Sequence, residues 1–88
     1  MSSLRLTLLS TDACTLCDTA FELLASMPEL RGLELDVVDI AEDQRLIAQY
    51  AEQIPVLGLR SADGEIAATL VWPFDDQSVS RWLRKSEQ

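Results

Sequence analysis

The apolar period changes twice between residues 4 and 40, and that change most constrains what the chain can fold into. Leu4, Leu6 and Leu8 alternate with Arg5, Thr7 and Leu9, the period of two that marks a strand over about residues 4–10. After Thr11-Asp12-Ala13, residues Cys17, Ala20, Phe21, Leu24 and Met27 recur at helical spacing. This helix starts at or beside Cys14, and Pro28 with Gly32 stops it. Over 33–40, Leu35 and Val37 alternate with Glu34 and Asp36, and the β-branched residues there favour a second strand. Two strands separated by a helix pair in parallel, through a crossover that chain chirality makes right-handed.

The pattern continues with a short helix over about 42–51. Leu46, Ile47 and Tyr50 lie on one side of it, and Glu42 and Asp43 fall in its first turn, where negative charge suits the helix dipole. Pro55 ends this element. Segments 56–60 and 65–71 flank Ser61-Ala62-Asp63-Gly64, and Asp-Gly between two strand-like runs predicts a hairpin. After Trp72-Pro73-Phe74, Asp75 is placed to cap a last helix. That helix turns Val79, Trp82 and Leu83 inward and carries Arg81, Arg84 and Lys85 near its C-terminus. The order is βαβαββα, an α/β class with a four-stranded mixed sheet and helices on both faces. Leu6→Ala or Val37→Ala is expected to cost a few kcal/mol through cavities, against a total stability of about 5–15 kcal/mol.

Eighty-eight residues allow one domain, 1–88, near the lower size limit for an unassisted apolar core. With 48% apolar and 25% charged residues the composition is that of a globular chain. A net charge of −8 with no Lys/Arg run disfavours nucleic acid and anionic lipid as partners. The first residues lead into an apolar stretch too brief for a signal sequence or a membrane span, so the expected location is the cytoplasm. A monomer is expected.

Two cysteines spaced Cys14-Thr15-Leu16-Cys17 do not make a disulfide framework of the secreted type. Redox or metal chemistry remains. Histidine is absent, so zinc within one chain would need two carboxylates beside two thiolates, an uncommon ligand set, and no metal site is expected. At a strand-to-helix junction the first cysteine meets unpaired N–H groups and the positive end of the helix dipole, which favour its thiolate. Cys14 is therefore the expected nucleophile. Cys17, on the same stripe as Ala20 and Leu24, is expected one turn below, where it can resolve a mixed disulfide. Two inert core cysteines are the bland alternative. Ile54-Pro55-Val56 adds a proline opening a strand, where a ladder donor is dispensable and the cis form is accessible.

Taken together, the C-x-x-C pair, Pro55 and the βαβαββα order resemble the thioredoxin superfamily, and the short length resembles its glutaredoxin branch. The resemblance implies a small dithiol–disulfide oxidoreductase acting in electron transport and redox homeostasis, with a disulfide-containing protein or small thiol as substrate. It implies Cys14 and Cys17 as catalytic residues and a cis Pro55 beside them. Thr15, Leu16, Ile54 and Pro55 become substrate contacts, with the backbone of Ile54 pairing with a bound peptide or glutathione.

The sequence departs from the glutaredoxin pattern at several points. Thr15-Leu16 replaces the usual Pro-Tyr or Pro-Phe, Gln53-Ile54 precedes the proline, and the glycine pair before the last helix gives way to Trp72-Pro73-Phe74-Asp75-Asp76. Asp12, Asp18, Asp75 and Asp76 are expected to ring the site and to raise the Cys14 pKa where the helix lowers it. No cofactor is expected; glutathione is a candidate reductant with weak binding, since it is anionic itself. Trp72-Pro73-Phe74 reads as core closure or as an apolar shelf beside the cysteines. A thioredoxin-fold binding module is the other functional class, either bridging a metal or iron–sulfur cluster between chains or acting as a redox-inert interaction domain.

Overall fold

The computed structural model describes residues 5–12 and 14–86. Leu4, which the alternation assigns to the first strand, and Ala13, just before the first cysteine, lie outside the described residues. The strands are β1 (Arg5–Ser10), β2 (Glu34–Asp39), β3 (Val56–Arg60) and β4 (Ile66–Val71), and the helices are α1 (Thr15–Ser26), α2 (Gln44–Tyr50) and α3 (Asp76–Ser86). Two 3-10 turns, Pro28–Leu30 and Ile40–Glu42, follow α1 and β2. Element order is βαβαββα, as the periodicity predicts.

The sheet runs β2-β1-β3-β4. β1 and β2 are parallel, with Leu8 opposite Val37, whereas β1–β3 and β3–β4 are antiparallel. Alternation along the strands divides the core between two faces. On one face Leu6, Leu8, Leu57 and Leu59 pack with Ala20 and Leu24 of α1 and with Val79 and Leu83 of α3. On the other, Leu9 and Val56 pack with Ile40 and with Tyr50 of α2. Gly58 faces this second side, where an added Cβ would lie 3.0 Å from Thr7 Cγ2 and 3.2 Å from Ile66 Cγ2. The absence of a side chain at Gly58 lets β1, β3 and β4 close on one another there.

Several expectations need correction. Val37 is 52% exposed because β2 is an edge strand with only one neighbour, so the period of two identified its face but not whether anything covers it. Phe21 is 44% exposed, since the buried stripe of α1 is Cys17, Ala20 and Leu24, and the next position has already turned outward. Ile47 is likewise exposed, and Trp82 is only partly buried at the margin of the larger core. The helix expected over 42–51 is interrupted at Asp43. There the backbone is extended, and the side chain accepts the Arg45 N–H at 2.9 Å, capping α2 from outside.

Candidate active site

β1 ends at Ser10, and Cys14 occupies the N-cap of α1 with extended backbone angles (φ −101°, ψ 103°). Its Sγ accepts the backbone N–H of Cys17 at 3.1 Å, and its carbonyl accepts the N–H of Asp18 at 3.2 Å. The sulfur thus does what a serine or aspartate oxygen does at other helix starts, satisfying a donor left over by the first turn. Cys14 is half-buried and Cys17 is 5% exposed. The two sulfurs are joined in a disulfide, with the Cα atoms 5.2 Å apart. Cys14 Sγ thus lies at the positive end of the helix dipole, in contact with one of the first turn's leftover donors.

Strand register brings the proline to the same end of the sheet. Leu9 stands opposite Val56, and Val56 opposite Val71, so Pro55 and Trp72 lie beyond them, level with the segment that leads to Cys14. Trp72 N–H donates to the Pro55 carbonyl at 3.1 Å. Pro55 is buried, and the Ile54–Pro55 peptide is cis. Trp72–Pro73 is a second cis peptide, for which the sequence carried no signal. Ile54 is half-buried and its N–H already donates to the Tyr50 carbonyl at 3.2 Å. Of the two backbone groups expected to meet a bound chain, the N–H is therefore engaged within the protein.

Thr15 is exposed, its carbonyl accepting the Thr19 hydroxyl at 3.1 Å, and Leu16 is 51% exposed. Leu16 presents an apolar side chain to solvent between the two cysteines. Trp72 and Phe74 pack edge to face with centroids 5.0 Å apart; Phe74 belongs to the larger core and Trp72 flanks it.

The acidic residues divide between roles. Asp75 Oδ1 accepts the Ser78 N–H at 2.8 Å and the Ser78 hydroxyl at 2.9 Å, capping α3 as predicted. These bonds, the N–H foremost, lower its pKa below the ordinary carboxylate value, with Arg81 contributing. Asp76 borders a shallow recess with Glu29, Ser80, Arg81 and Arg84. Asp18 lines a groove of about 460 Å³ with Cys17, Phe21, Glu22, Val37 and Leu8. Neither the apolar walls of this groove nor its contact with Cys17 was read from the sequence, because it forms where an edge strand fails to cover α1.

Among the described residues no group of three or more Cys, His, Asp or Glu side chains is placed to hold a metal. Nor is any described helix long and apolar enough to cross a membrane.

A mixed sheet in this order, with a bonded C-x-x-C pair heading the first helix and a cis-proline leading into the third strand, defines a thioredoxin-superfamily domain. Within that class, the family model described as Glutaredoxin-like domain (DUF836) matches residues 5–84, and the chain belongs to this family. The X-ray structure of the protein XcR50 from X. campestris is 38% identical, covers 91% of this chain and 96% of that one, and superposes with a TM-score of 0.68. Two more distant structures share the fold. Protein Ne2328 from Nitrosomonas europaea is 18% identical over 93% of each chain, with a TM-score of 0.70. A mutant thioredoxin from Halobacterium salinarum is 22% identical over 99% of this chain and 77% of that one, with a TM-score of 0.71. No curated protein matches the sequence.

Proposed function

We propose that the protein is a dithiol–disulfide oxidoreductase that reduces disulfides in protein partners, with Cys14 as nucleophile and Cys17 as resolving thiol. The observation that carries this reading is the asymmetry of the bonded pair: Cys14 half-exposed at the helix N-cap, Cys17 buried one turn in. The Cys14 thiolate attacks one sulfur of the substrate disulfide, forming a mixed disulfide and expelling the other substrate sulfur as thiolate. The Cys17 thiolate then attacks Cys14 Sγ, closing the Cys14–Cys17 bond and releasing the second substrate thiol. The substrate gains two electrons, the enzyme loses two, and an external thiol reductant restores the dithiol.

Glutathione would serve poorly in that last role. The net charge is −8, Asp18 shares a groove with Cys17, and Asp75 and Asp76 occupy the start of α3. Thr15, Leu16, the Ile54 carbonyl and Pro55 form the contact rim in this reading, which assigns the protein to the reducing cytoplasm as a monomer.

Equilibration in graded dithiothreitol buffers, followed by thiol alkylation and mass analysis, tests it. The expected result is reversible two-electron interconversion of the wild-type pair, with Cys17→Ser accumulating a mixed disulfide on Cys14 when it is incubated with bis(2-hydroxyethyl) disulfide in place of dithiothreitol. Failure of the wild-type pair to reduce and reoxidise, or equal trapping on Cys17 in Cys14→Ser, rejects the reading.

A further inference from the structure

The groove beside Cys17 has a chemical character that the exchange reaction itself does not need. Phe21 and Val37, 44% and 52% exposed, face it from α1 and β2. Asp18 and Glu22, one helical turn apart on α1, border the same space. No cation offsets them on the walls: α1 contains no Lys or Arg, and on the Val37 face β2 carries Leu35 and Asp39 and likewise no basic residue. Glu34 and Asp36 point to the opposite face of the sheet, where Glu34 pairs with Arg5 at 3.4 Å. Half-exposed apolar side chains in an acidic border, reaching the buried member of the cysteine pair, suit a ligand that is apolar and cationic together.

Resting on the oxidoreductase reading, we propose that this groove is a specificity site for protein substrates whose disulfide is flanked by a bulky apolar residue and an Arg or Lys. The substrate sulfur meets Cys14 at the rim while the flanking segment lies along α1 and the β2 edge. Its apolar side chain covers Phe21 and Val37, and its cation sits between Asp18 and Glu22. An anionic thiol such as glutathione gains nothing from these walls and is repelled by them, so the same residues separate the two substrate classes.

The test compares kcat/KM for three disulfides: a peptide with Leu and Arg beside its cystine, the same peptide with Ser and Glu in their place, and bis(2-hydroxyethyl) disulfide. Wild-type protein should prefer the Leu/Arg peptide over the Ser/Glu peptide by about tenfold at low salt, and the preference should shrink at about 0.5 M salt as the charges are screened. Phe21→Ser and Glu22→Lys, both at exposed positions, should each reduce the preference. Activity is expressed relative to the small disulfide, which cancels any change in thiol reactivity.

Normal turnover of the small disulfide with no preference between the peptides overturns the groove assignment alone, as does a preference that survives both variants. A dimer in sedimentation that Phe21→Ser dissolves also overturns it, by showing a second copy as the occupant. Failure to turn over any of the three disulfides overturns the oxidoreductase reading, and the groove assignment falls with it.

Discussion

Cys14 and Cys17 share one side-chain chemistry in two environments, and that difference arises from three residues of helix. The first sulfur caps the helix and keeps partial access to solvent; the second points with Ala20 and Leu24 toward the core side. The motif made the placement of the two sulfurs legible, because N-cap position and helical stripe are both local properties of the chain. Exposure at the far wall was not legible, because whether Val37 is covered depends on which strand lies beside β2. The distinction is measurable. Leu6 is fully buried between the sheet and the helices, so Leu6→Ala should lose about 2–5 kcal/mol. Val37→Ala should lose no more than about 1 kcal/mol, the span of strand propensity, since half of that side chain is already in water. Guanidinium unfolding midpoints of the two variants decide the matter, and equal losses would contradict the edge position of β2.

At the scale of elements, the ends of helices are set by single side chains. Cys14 caps α1, Asp43 caps α2, and Asp75 accepts two bonds from Ser78 at the start of α3. The cap of α3 was legible because Asp follows the Pro-Phe segment directly before a helical stripe. The break at Asp43 was not, since an acidic residue suits either the first turn or the cap, and only the extended backbone there separates the two. Asp75→Ala should lower Tm at neutral pH, with Asp75→Asn, which retains an acceptor oxygen, closer to wild type. The pH dependence has a definite sign. Bonds from Ser78 to the carboxylate lower the folded pKa, so the stabilisation is complete above the unfolded value of about 3.9 and is lost as pH falls through the lower folded one. Thermal melts of wild type and Asp75→Ala should therefore differ at pH 7 and converge near about pH 2. A gap that persists in acid would assign the effect to something other than the ionised cap.

For the whole molecule, the strand order follows from local signals acting together. A helix between β1 and β2 makes them parallel, and Asp63-Gly64 turns β3 back onto β4, with Gly64 at φ +87° where a side chain would be strained. Which edge lies bare is a property of the assembled sheet, and the groove beside Cys17 exists only at that level. Charge is the other global property. Fifteen acidic residues face seven basic ones, and among the described residues the single ion pair is Arg5–Glu34, with Glu34 largely in solvent and Arg5 partly buried. Repulsion among surface carboxylates should then oppose the compact state, and at pH 7 it is screened over about 10 Å at 0.1 M salt. Raising NaCl from about 0.02 to 0.5 M at pH 7 should increase Tm, whereas near the sequence isoelectric point of about 4.2 the increase should be much smaller. As pH falls from 7 toward that point, stability should first rise, because the repulsion eases while Asp63 and Asp75, with lowered pKa values, remain ionised and hydrogen-bonded. Below it, protonation of those two removes their contribution and stability should fall. A Tm that drops with added salt at pH 7 would show that attractive pairs outweigh the repulsion, contrary to what the charge distribution requires.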